Sequence, residues 1–302
     1  MDERTPEPPL TEEINPSTVD LDLLDTHELL HRINDEDRRA AWAVERELDA
    51  IGTAVDSIVA RLRAGGRLHY FGAGTSGRIA VTDAAEMPPT FSVAHDLVVA
   101  HLAGGARAMT AAVEGAEDDI EAARGEVRAS RIGAGDAVVG VSASGSTPYV
   151  LGAIDAATAA GALTIGITND ARSPLARAVK IPIALLTGAE VISGSTRMKA
   201  ASAQKMALAT ISTAVMVKLG HVHGNLMVGV KATNEKLRKR AVRMTALLAG
   251  VDATQAAGAL DASGYDVKAA VVALQLRCTV EEAQAALRRS GGDLRKALGG
   301  KS

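Results

Sequence analysis

The spacing of apolar residues changes several times along the chain, and each change marks a different kind of element. Near the start, two segments carry apolar residues at helical spacing, over residues 21–33 and 35–62. The second has Asn34 as a candidate N-cap, acidic residues in its first turn and Gly65-Gly66 as its end. The pattern therefore predicts two helices before the first strand.

Beyond residue 65 the apolar residues come in short continuous runs separated by segments with helical spacing. The runs cover residues 68–71, 97–102, 137–141, 163–168 and 181–186. Continuous apolar strands that alternate with helices predict an α/β fold, a parallel sheet of about five strands with helices on both faces. Two longer helical stretches follow at about residues 196–219 and 231–248.

The texture changes again after Gly250, where short amphipathic pieces are separated by glycine. Each piece begins with Asp or Thr as a candidate N-cap: DATQAAGAL, DVKAAVVAL, TVEEAQAAL and DLRKAL. We expect residues 250–302 to form a small all-helical region. The acidic, proline-rich residues 1–18 have the composition of a flexible arm, which leaves residues 19–249 as the main domain.

Composition excludes several classes of function. The 302 residues carry a formal net charge of -3 and only 2% aromatic residues, so neither charge nor stacking favours nucleic acid as a partner. Cys278 is the single cysteine, which suits a reducing compartment. The N-terminus is unlike a secretory signal, and no apolar stretch is long enough to predict a membrane span. We expect a cytoplasmic protein.

The run HYFGAGTSG contains Gly72, Gly74 and Gly77 in the G-x-G-x-x-G pattern of dinucleotide sites. Such a site also needs an acidic residue at the end of the next strand, to accept hydrogen bonds from the ribose. Here that strand leads into Ala103-Gly104-Gly105, and no Gly-Lys-Ser/Thr ending indicates a nucleotide P-loop. The glycines therefore favour another anion.

Three loops combine glycine with hydroxyl side chains just before a predicted helix. Such residues are also common turn formers and helix caps, but three loops in corresponding places favour a phosphate or sugar-phosphate site. The candidate ligand-binding residues are Gly74, Thr75, Ser76 and Gly77 in the first loop, Ser142, Ser144, Gly145, Ser146 and Thr147 in the second, and Ser193 and Ser195 in the third.

Several longer motifs carry a family resemblance, in order over about residues 11–240: TEEINPSTVDLDLLDT, INDEDRRAAWAVE, GAGTSGRIAVTDAAEMPPT, VEGAEDD, SASGSTPYV, GAEVISGSTRMKAASAQKMALATIST and GNLMVGVKATNEKL. They resemble the sugar isomerase (SIS) domain family and, within it, the N-acetylmuramic acid 6-phosphate etherases. The tail resembles the small ubiquitin-associated-like region of these enzymes. The resemblance implies that residues 19–249 are an SIS catalytic domain.

The resemblance also implies an activity, cleavage of the D-lactyl ether of N-acetylmuramic acid 6-phosphate to N-acetylglucosamine 6-phosphate and D-lactate. The family's acid falls on Glu86, in DAAEMPPT, and its second catalytic glutamate falls on Glu117, in VEGAED. This chain differs from the usual family pattern at Ala85, Met87, Asp25 and Gly229. The reaction class is expected to be unchanged because both glutamates and all three loops are present.

The chemistry explains why two carboxyl groups are needed. In the open-chain sugar the C2 hydrogen lies α to an aldehyde, so a base removes it and lactate leaves from C3 once an acid protonates the ether oxygen. Water then adds to the double bond, and neither a redox cofactor nor a metal is required. The apolar neighbours of Glu86 favour a protonated acid, so we assign Glu117 as the base. Contacts in the folded chain decide whether this order holds.

Two alternative functions remain open, and one histidine pair resembles a metal site. An SIS protein with the same loops is also able to act as a non-catalytic sugar-phosphate sensor, like the glucokinase regulatory proteins, or as an aldose–ketose isomerase. His221 and His223 have a metal-like spacing but no adjacent third ligand, which favours surface or capping histidines and no metal site. The family further implies a homodimer that binds a small phosphosugar.

Overall fold

The computed structural model describes residues 9–229 and 235–300, except for the side chain of Lys236. The chain divides into two compact units. The first, here called the sheet unit, lies within residues 1–84 and 96–212, and the second, the helical unit, lies within residues 85–95 and 213–302. The predicted domain limits remain a prediction, because this division follows packing and not function.

The sheet unit begins with two short 3-10 turns, Leu10–Glu12 and Leu21–Leu23, and then alternates helices with strands. In chain order its elements are α1 (Thr26–Glu45), α2 (Leu48–Arg63), β1 (Leu68–Gly72), α3 (Gly74–Phe91), β2 (Val98–Leu102), α4 (Ile120–Ala129), β3 (Ala137–Val141), α5 (Pro148–Ala159), β4 (Leu163–Thr168), α6 (Pro174–Ala178), β5 (Ile181–Ala184) and α7 (Lys199–Lys218). The ends of α3 and α7 belong to the helical unit.

The five strands form one parallel sheet in the order β2-β1-β3-β4-β5. Strands β1, β3 and β4 are buried along their whole length, as expected of strands covered on both faces. Each predicted run became a strand, and the predicted α/β fold with a five-stranded parallel sheet is confirmed. Aromatic and aliphatic side chains from β1, β3, α4 and α5 pack into one apolar cluster on one face.

The first helices begin elsewhere than the sequence predicts. Asn34 does not cap a helix, since it lies inside α1. Asp25 is the N-cap, and its carboxylate accepts the backbone N–H of Glu28 at 2.8 Å. A single Asn inside a long helix costs only about 0.7 kcal/mol relative to Ala, so the segment continues through it. The predicted end is correct, because Gly65 follows α2 with a φ of +89°.

Residues 9–18 do not have the loose packing that their composition predicts. Asn15 and Thr18 are buried, and their side chains donate to the carbonyl oxygens of Ala189 at 3.2 Å and Val191 at 2.9 Å. These polar side chains find backbone acceptors in a distant part of the chain, which composition alone does not reveal. Residues 1–8 of the predicted arm lie outside the described residues.

Besides the ends of α3 and α7, the described residues of the helical unit form a short hairpin and five helices: β6 (Val222–His223), β7 (Leu226–Met227), α8 (Glu235–Ala249), α9 (Ala253–Ala262), α10 (Val267–Leu276), α11 (Val280–Arg289) and α12 (Leu294–Ala297). All four predicted N-caps are confirmed, because the side chains of Asp252, Asp266, Thr279 and Asp293 each accept a backbone N–H of their own helix. Residues 230–234, at the start of the predicted helix over 231–248, lie outside the described part.

Candidate active site

The chain reverses its direction of growth across the sheet between β1 and β3. From β1 it passes through α3 to β2 on one side, and β3 then pairs with the other side of β1. In open α/β sheets ligands bind at such a switch point, outside the carboxyl ends of the two strands. Gly72 and Val141 are register partners here, so the first and second predicted loops begin side by side.

The glycines of the first loop allow β1 and α3 to pack closely. A Cβ on Gly77 would lie 2.6 Å from the carbonyl oxygen of Gly72 and 2.4 Å from a methyl group of Leu102. Helix α3 begins at Gly74, which places Thr75 and Ser76 in its first turn. Within the described residues neither hydroxyl has a protein partner, so both are available to a ligand at this helix N-terminus.

Hydroxyl groups of the second loop bind one another. Ser142 Oγ lies 2.8 Å from Thr147 Oγ1 and accepts the N–H of Gly145 at 3.0 Å. Ser146 Oγ donates to Ser144 Oγ at 2.9 Å. Gly145 has a φ of +63°, and a Cβ there would lie 2.3 Å from Ser173 Oγ. These contacts hold the loop in place at the start of α5.

The structure places one more polar residue at this sheet edge, and it is not among the residues predicted from the sequence. Asn169, just after β4, is buried and binds the second loop through its N–H, which donates to Ala143 O at 2.9 Å. Its amide oxygen accepts from Gln204 Nε2 at 2.9 Å, which ties α7 to the edge of the sheet. The polar Thr-Asn-Asp run at the end of the apolar strand β4 could have indicated this residue in the sequence.

Glu117 lies in a 3-10 turn, Ala116–Asp118, and its side chain is exposed. The neighbouring Asp119 caps α4 by accepting the N–H of Ala122 at 2.8 Å, so the capping role does not fall on Glu117. Close packing between Ile120 and Gly152 brings this segment to the first turns of α5, since a Cβ on Gly152 would lie 3.1 Å from the carbonyl oxygen of Ile120. Glu117 therefore belongs to the neighbourhood of the second loop.

Glu86 lies in the part of α3 that belongs to the helical unit, and its side chain is exposed. The apolar burial that its neighbours predict is absent, because Met87 is buried while Glu86 points away from that packing. Earlier in α3, Asp83 accepts from Tyr70 Oη and Ser212 Oγ, each at 3.0 Å. These contacts of Asp83 hold α3 to β1 and α7 in the sheet unit.

The third loop leads into α7 and contacts a different part of the chain from the first two loops. It begins well after β5 ends at Ala184, and its hydrogen bonds run to the N-terminal segment. Ser193 Oγ donates to the carbonyl oxygen of Glu12 at 3.0 Å, and the N–H of Gly194 donates to Thr11 O at 3.1 Å. The assignment of Ser193 and Ser195 to phosphate stays a prediction.

Metal-binding and membrane-spanning features are not found among the described residues. In residues 9–229 and 235–300 no cluster of three His, Cys, Asp or Glu side chains is placed to hold a metal ion. None of the helices in these ranges is long and apolar enough to cross a membrane. His221 packs edge-on against Phe91 in the helical unit, with ring centroids 6.4 Å apart, and burial lowers its pKa.

The chain resembles known proteins in its domain family and fold, and also in sequence over nearly its whole length. Residues 50–158 match the family described as glucokinase regulatory protein N-terminal SIS domain, and residues 113–214 match the SIS domain family. The phosphoheptose isomerase of Francisella tularensis has this fold, with a TM-score of 0.52 at 18% identity over 64% of this chain and 100% of that one.

Similarity to curated proteins is closer and spans nearly the whole chain. The N-acetylmuramic acid 6-phosphate etherase of Deinococcus radiodurans is 47% identical over 97% of this chain and 96% of that protein. The etherase of Mycolicibacterium smegmatis is 48% identical over 96% of this chain and 97% of that protein. With this identity over nearly the whole chain, the chain belongs to the N-acetylmuramic acid 6-phosphate etherase family of SIS proteins.

Proposed function

We propose that this chain is a carbon–oxygen lyase that cleaves the D-lactyl ether of N-acetylmuramic acid 6-phosphate, giving N-acetylglucosamine 6-phosphate and D-lactate in the recycling of cell-wall amino sugars. The observation that carries this conclusion is the similarity to etherases along nearly the whole chain. It is supported by the two hydroxyl-bearing loops that meet at the switch point of the sheet.

The sugar phosphate is held where α3 and α5 begin. The free N–H groups at a helix N-terminus and the positive end of its dipole favour a phosphate dianion. Thr75 and Ser76 add unpaired hydroxyl donors from the first loop, and the second loop supplies Ser144, Ser146 and Thr147 in a fixed arrangement. These contacts orient the open-chain sugar without contributing charge to the reacting carbons.

Glu117 is the base that removes the C2 hydrogen. Its exposed carboxylate lies in the segment that packs on the first turns of α5, next to the second loop. Glu86 is the acid that protonates the departing lactyl oxygen, and it then helps water to add to the double bond. Glu86 is exposed in the described chain, so its assignment as the acid rests on the family resemblance and not on apolar packing by its neighbours.

Lactate release tests the reaction, and isotope exchange tests the roles. The purified chain is incubated with N-acetylmuramic acid 6-phosphate in deuterated water, and D-lactate and C2 deuterium are measured. We expect Glu117→Gln to abolish both exchange and lactate release, and Glu86→Gln to abolish lactate release while exchange persists. Glu114→Gln, a change of the exposed neighbour in the same acidic segment, is the matched control and retains activity within about twofold.

Other outcomes point to specific alternatives. Binding of the phosphosugar without lactate release favours the sensor function, for which the match to the glucokinase regulatory SIS family over residues 50–158 is the relevant observation. Exchange of a C2 hydrogen in a sugar phosphate that lacks the lactyl group, with formation of a ketose, favours an isomerase. Normal exchange by Glu117→Gln would contradict the assignment of the base.

Assembly and location extend the proposal. Large apolar side chains lie exposed on the N-terminal segment and α1 of the sheet unit: Ile14, Val19, Leu23, Leu30 and Trp42. Such a surface suits contact with a second copy of the chain, so we expect a homodimer. The single cysteine, Cys278, suits a reducing compartment, so we expect this dimer in the cytoplasm. Light scattering of the purified protein measures the first property, and cell fractionation measures the second.

A further inference from the structure

Three charged side chains are buried together around the third loop. Glu36 lies in α1, Glu190 follows β5, and Lys199 is the first residue of α7. Glu36 is 4% exposed, and Glu190 and Lys199 are 0% exposed. Burying charges is costly unless they are paired, so this arrangement requires specific partners. None of the three takes part in the chemistry proposed above.

Lys199 and Glu36 form the ion pair of this cluster. The ammonium group of Lys199 donates to Glu36 Oε2. Glu36 Oε1 also accepts from Ser17 Oγ at 3.2 Å and lies 3.4 Å from a guanidinium nitrogen of Arg39. Burial opposes ionisation of Glu36, but the hydrogen bond and charge of Lys199 outweigh it and lower the pKa. Glu36 is therefore an anion, and Lys199 is its buried counterion.

Glu190, at the start of the third loop, binds the first turn of α7 at the end of that loop. Its Oε1 accepts the N–H of Ala200 at 2.9 Å, which joins the two ends of residues 190–200. Burial raises the pKa of Glu190, and its second oxygen has no partner among the described residues. The entry of the loop is thus fixed by Glu190, and the exit is fixed by the ion pair of Lys199.

The N-terminal segment is attached to the same cluster. Ser17 bridges Glu36 and Asn15, donating to Asn15 Oδ1 at 2.6 Å, and Asn15 in turn donates to Ala189 O at 3.2 Å. Ser193 of the third loop donates to Glu12 O at 3.0 Å. The Glu36–Lys199 pair therefore connects residues 12–17, α1 and the third loop.

From this geometry we infer that Lys199 is a positioning residue, which acts through Glu36 to hold the third loop in the conformation that binds the substrate phosphate. The inference rests on the proposed function, because it takes the predicted phosphate role of Ser193 and Ser195 as its output. A direct phosphate contact by Lys199 is disfavoured, since its ammonium group is fully buried and already bound to a carboxylate.

The test compares two lysines of one helix. Lys199→Met removes the buried charge, and Lys205→Met removes an exposed charge further along α7. We expect Lys199→Met to raise KM for N-acetylmuramic acid 6-phosphate and the inhibition constant of inorganic phosphate about tenfold, with kcat changed less than about threefold. Amide hydrogen exchange over residues 191–198 becomes faster in that variant. Lys205→Met leaves all of these values within about twofold.

Glu36 separates positioning from direct binding. If Lys199 acts through the ion pair, Glu36→Gln reproduces the higher KM and the faster exchange, and the double variant Glu36→Gln/Lys199→Met is no worse than either single one. If Lys199 binds phosphate itself, Lys199→Met weakens phosphate inhibition with unchanged exchange and Glu36→Gln has no effect. That result overturns the inference.

One more variant covers loss of folding. Removing a single member of a buried pair leaves an uncompensated charge, whereas replacing both with apolar residues is often tolerated. Glu36→Leu/Lys199→Met is therefore expected to fold, with a raised KM and rapid exchange in residues 191–198; wild-type values of both would refute the inference. If the unchanged chain releases no lactate, the proposed function fails, and the exchange of residues 191–198 still decides the positioning role.

Discussion

The loops after β1 and β3 lie side by side at one sheet edge, yet they are held in place by different means. The first loop is fixed by backbone packing, with Gly77 against the carbonyl group of Gly72, and its hydroxyls at Thr75 and Ser76 have no partner in the described residues. The second uses its own hydroxyls, which pair Ser142 with Thr147, in addition to a backbone bond from Asn169 to Ala143 O.

This difference shows that glycine and serine in such loops either shape the loop or bind a ligand. Glycines of the first loop satisfy the close approach of a strand and a helix, which is why they also fit a dinucleotide pattern. Serines of the second loop mostly shape the loop, so a count of hydroxyls overstates the number of free ligand donors. The first loop is therefore the more promising source of direct phosphate contacts.

The largest expected effect comes from the glycine packing. Gly77→Ala places a Cβ 2.4 Å from the side-chain atom Leu102 Cδ1 and 2.6 Å from Gly72 O, a backbone atom that the sheet holds in place. We expect a loss of about 3 kcal/mol in the free energy of unfolding, measured with urea. Gly125→Ala in α4, where the nearest atom is 4.0 Å away, is the control and costs nothing or stabilises slightly. Equal stability of the two variants would break the comparison.

The second expected effect is a pH dependence located on β1. His69 is buried beside His101, with Nδ1 3.2 Å from His101 Nε2, whereas its register partner on β3 is the apolar Val138. Burial, with the nearby charges of His101 and Arg67, lowers the pKa of His69 to about 4, although Asp136 opposes the shift. The unfolded chain therefore binds more protons than the folded chain between about pH 6.5 and pH 4, and stability falls as the pH falls through this window.

A lowered histidine pKa of this size predicts a loss of about 2 kcal/mol between about pH 7.5 and pH 5. Urea unfolding at these two pH values measures the loss. At the lower pH, amide hydrogen exchange should become faster in β1 than in β3. His69→Gln removes the titrating group and should flatten the profile. Unchanged stability of the wild-type chain over this range would show that His69 is protonated at no cost, contrary to its burial.

How much the sequence could predict depends on the range of the interactions involved. The strands and the N-caps of the C-terminal helices were predictable. A continuous apolar run, or an Asp or Thr before a helix, acts on residues only a few positions away. The start of α1 at Thr26 was predicted wrongly, because Asn34 fits the pattern of an N-cap although the helix continues through it. The Glu36–Lys199 pair was invisible, since its members are separated by 163 positions.

Ser142 provides a smaller test of the second loop. Ser142→Ala removes both the contact with Thr147 Oγ1 and the acceptor for the N–H of Gly145 in a buried site. We expect a loss of about 1–2 kcal/mol in unfolding free energy, since two hydrogen bonds are lost at a buried position and the N–H of Gly145 keeps only its longer bond, to Ser142 O at 3.2 Å. Ser146→Ala, at an exposed position of the same loop, should cost less than about 0.5 kcal/mol. A reversed order would mean that the hydroxyl pairs do not shape the loop.

The smallest stability effect is expected in the first loop, where it is most informative. Thr75→Val keeps the side-chain shape and removes a hydroxyl that no described protein group uses, so the free energy of unfolding should change by less than about 0.5 kcal/mol. If that hydroxyl binds phosphate, KM for the phosphosugar should nevertheless rise about tenfold, because a charge-assisted hydrogen bond contributes roughly 1.5–3 kcal/mol. Ser142→Ala should show the opposite balance, with more stability lost than affinity. A Thr75→Val variant with unchanged KM would remove the first loop from the phosphate site and leave its glycines as packing alone.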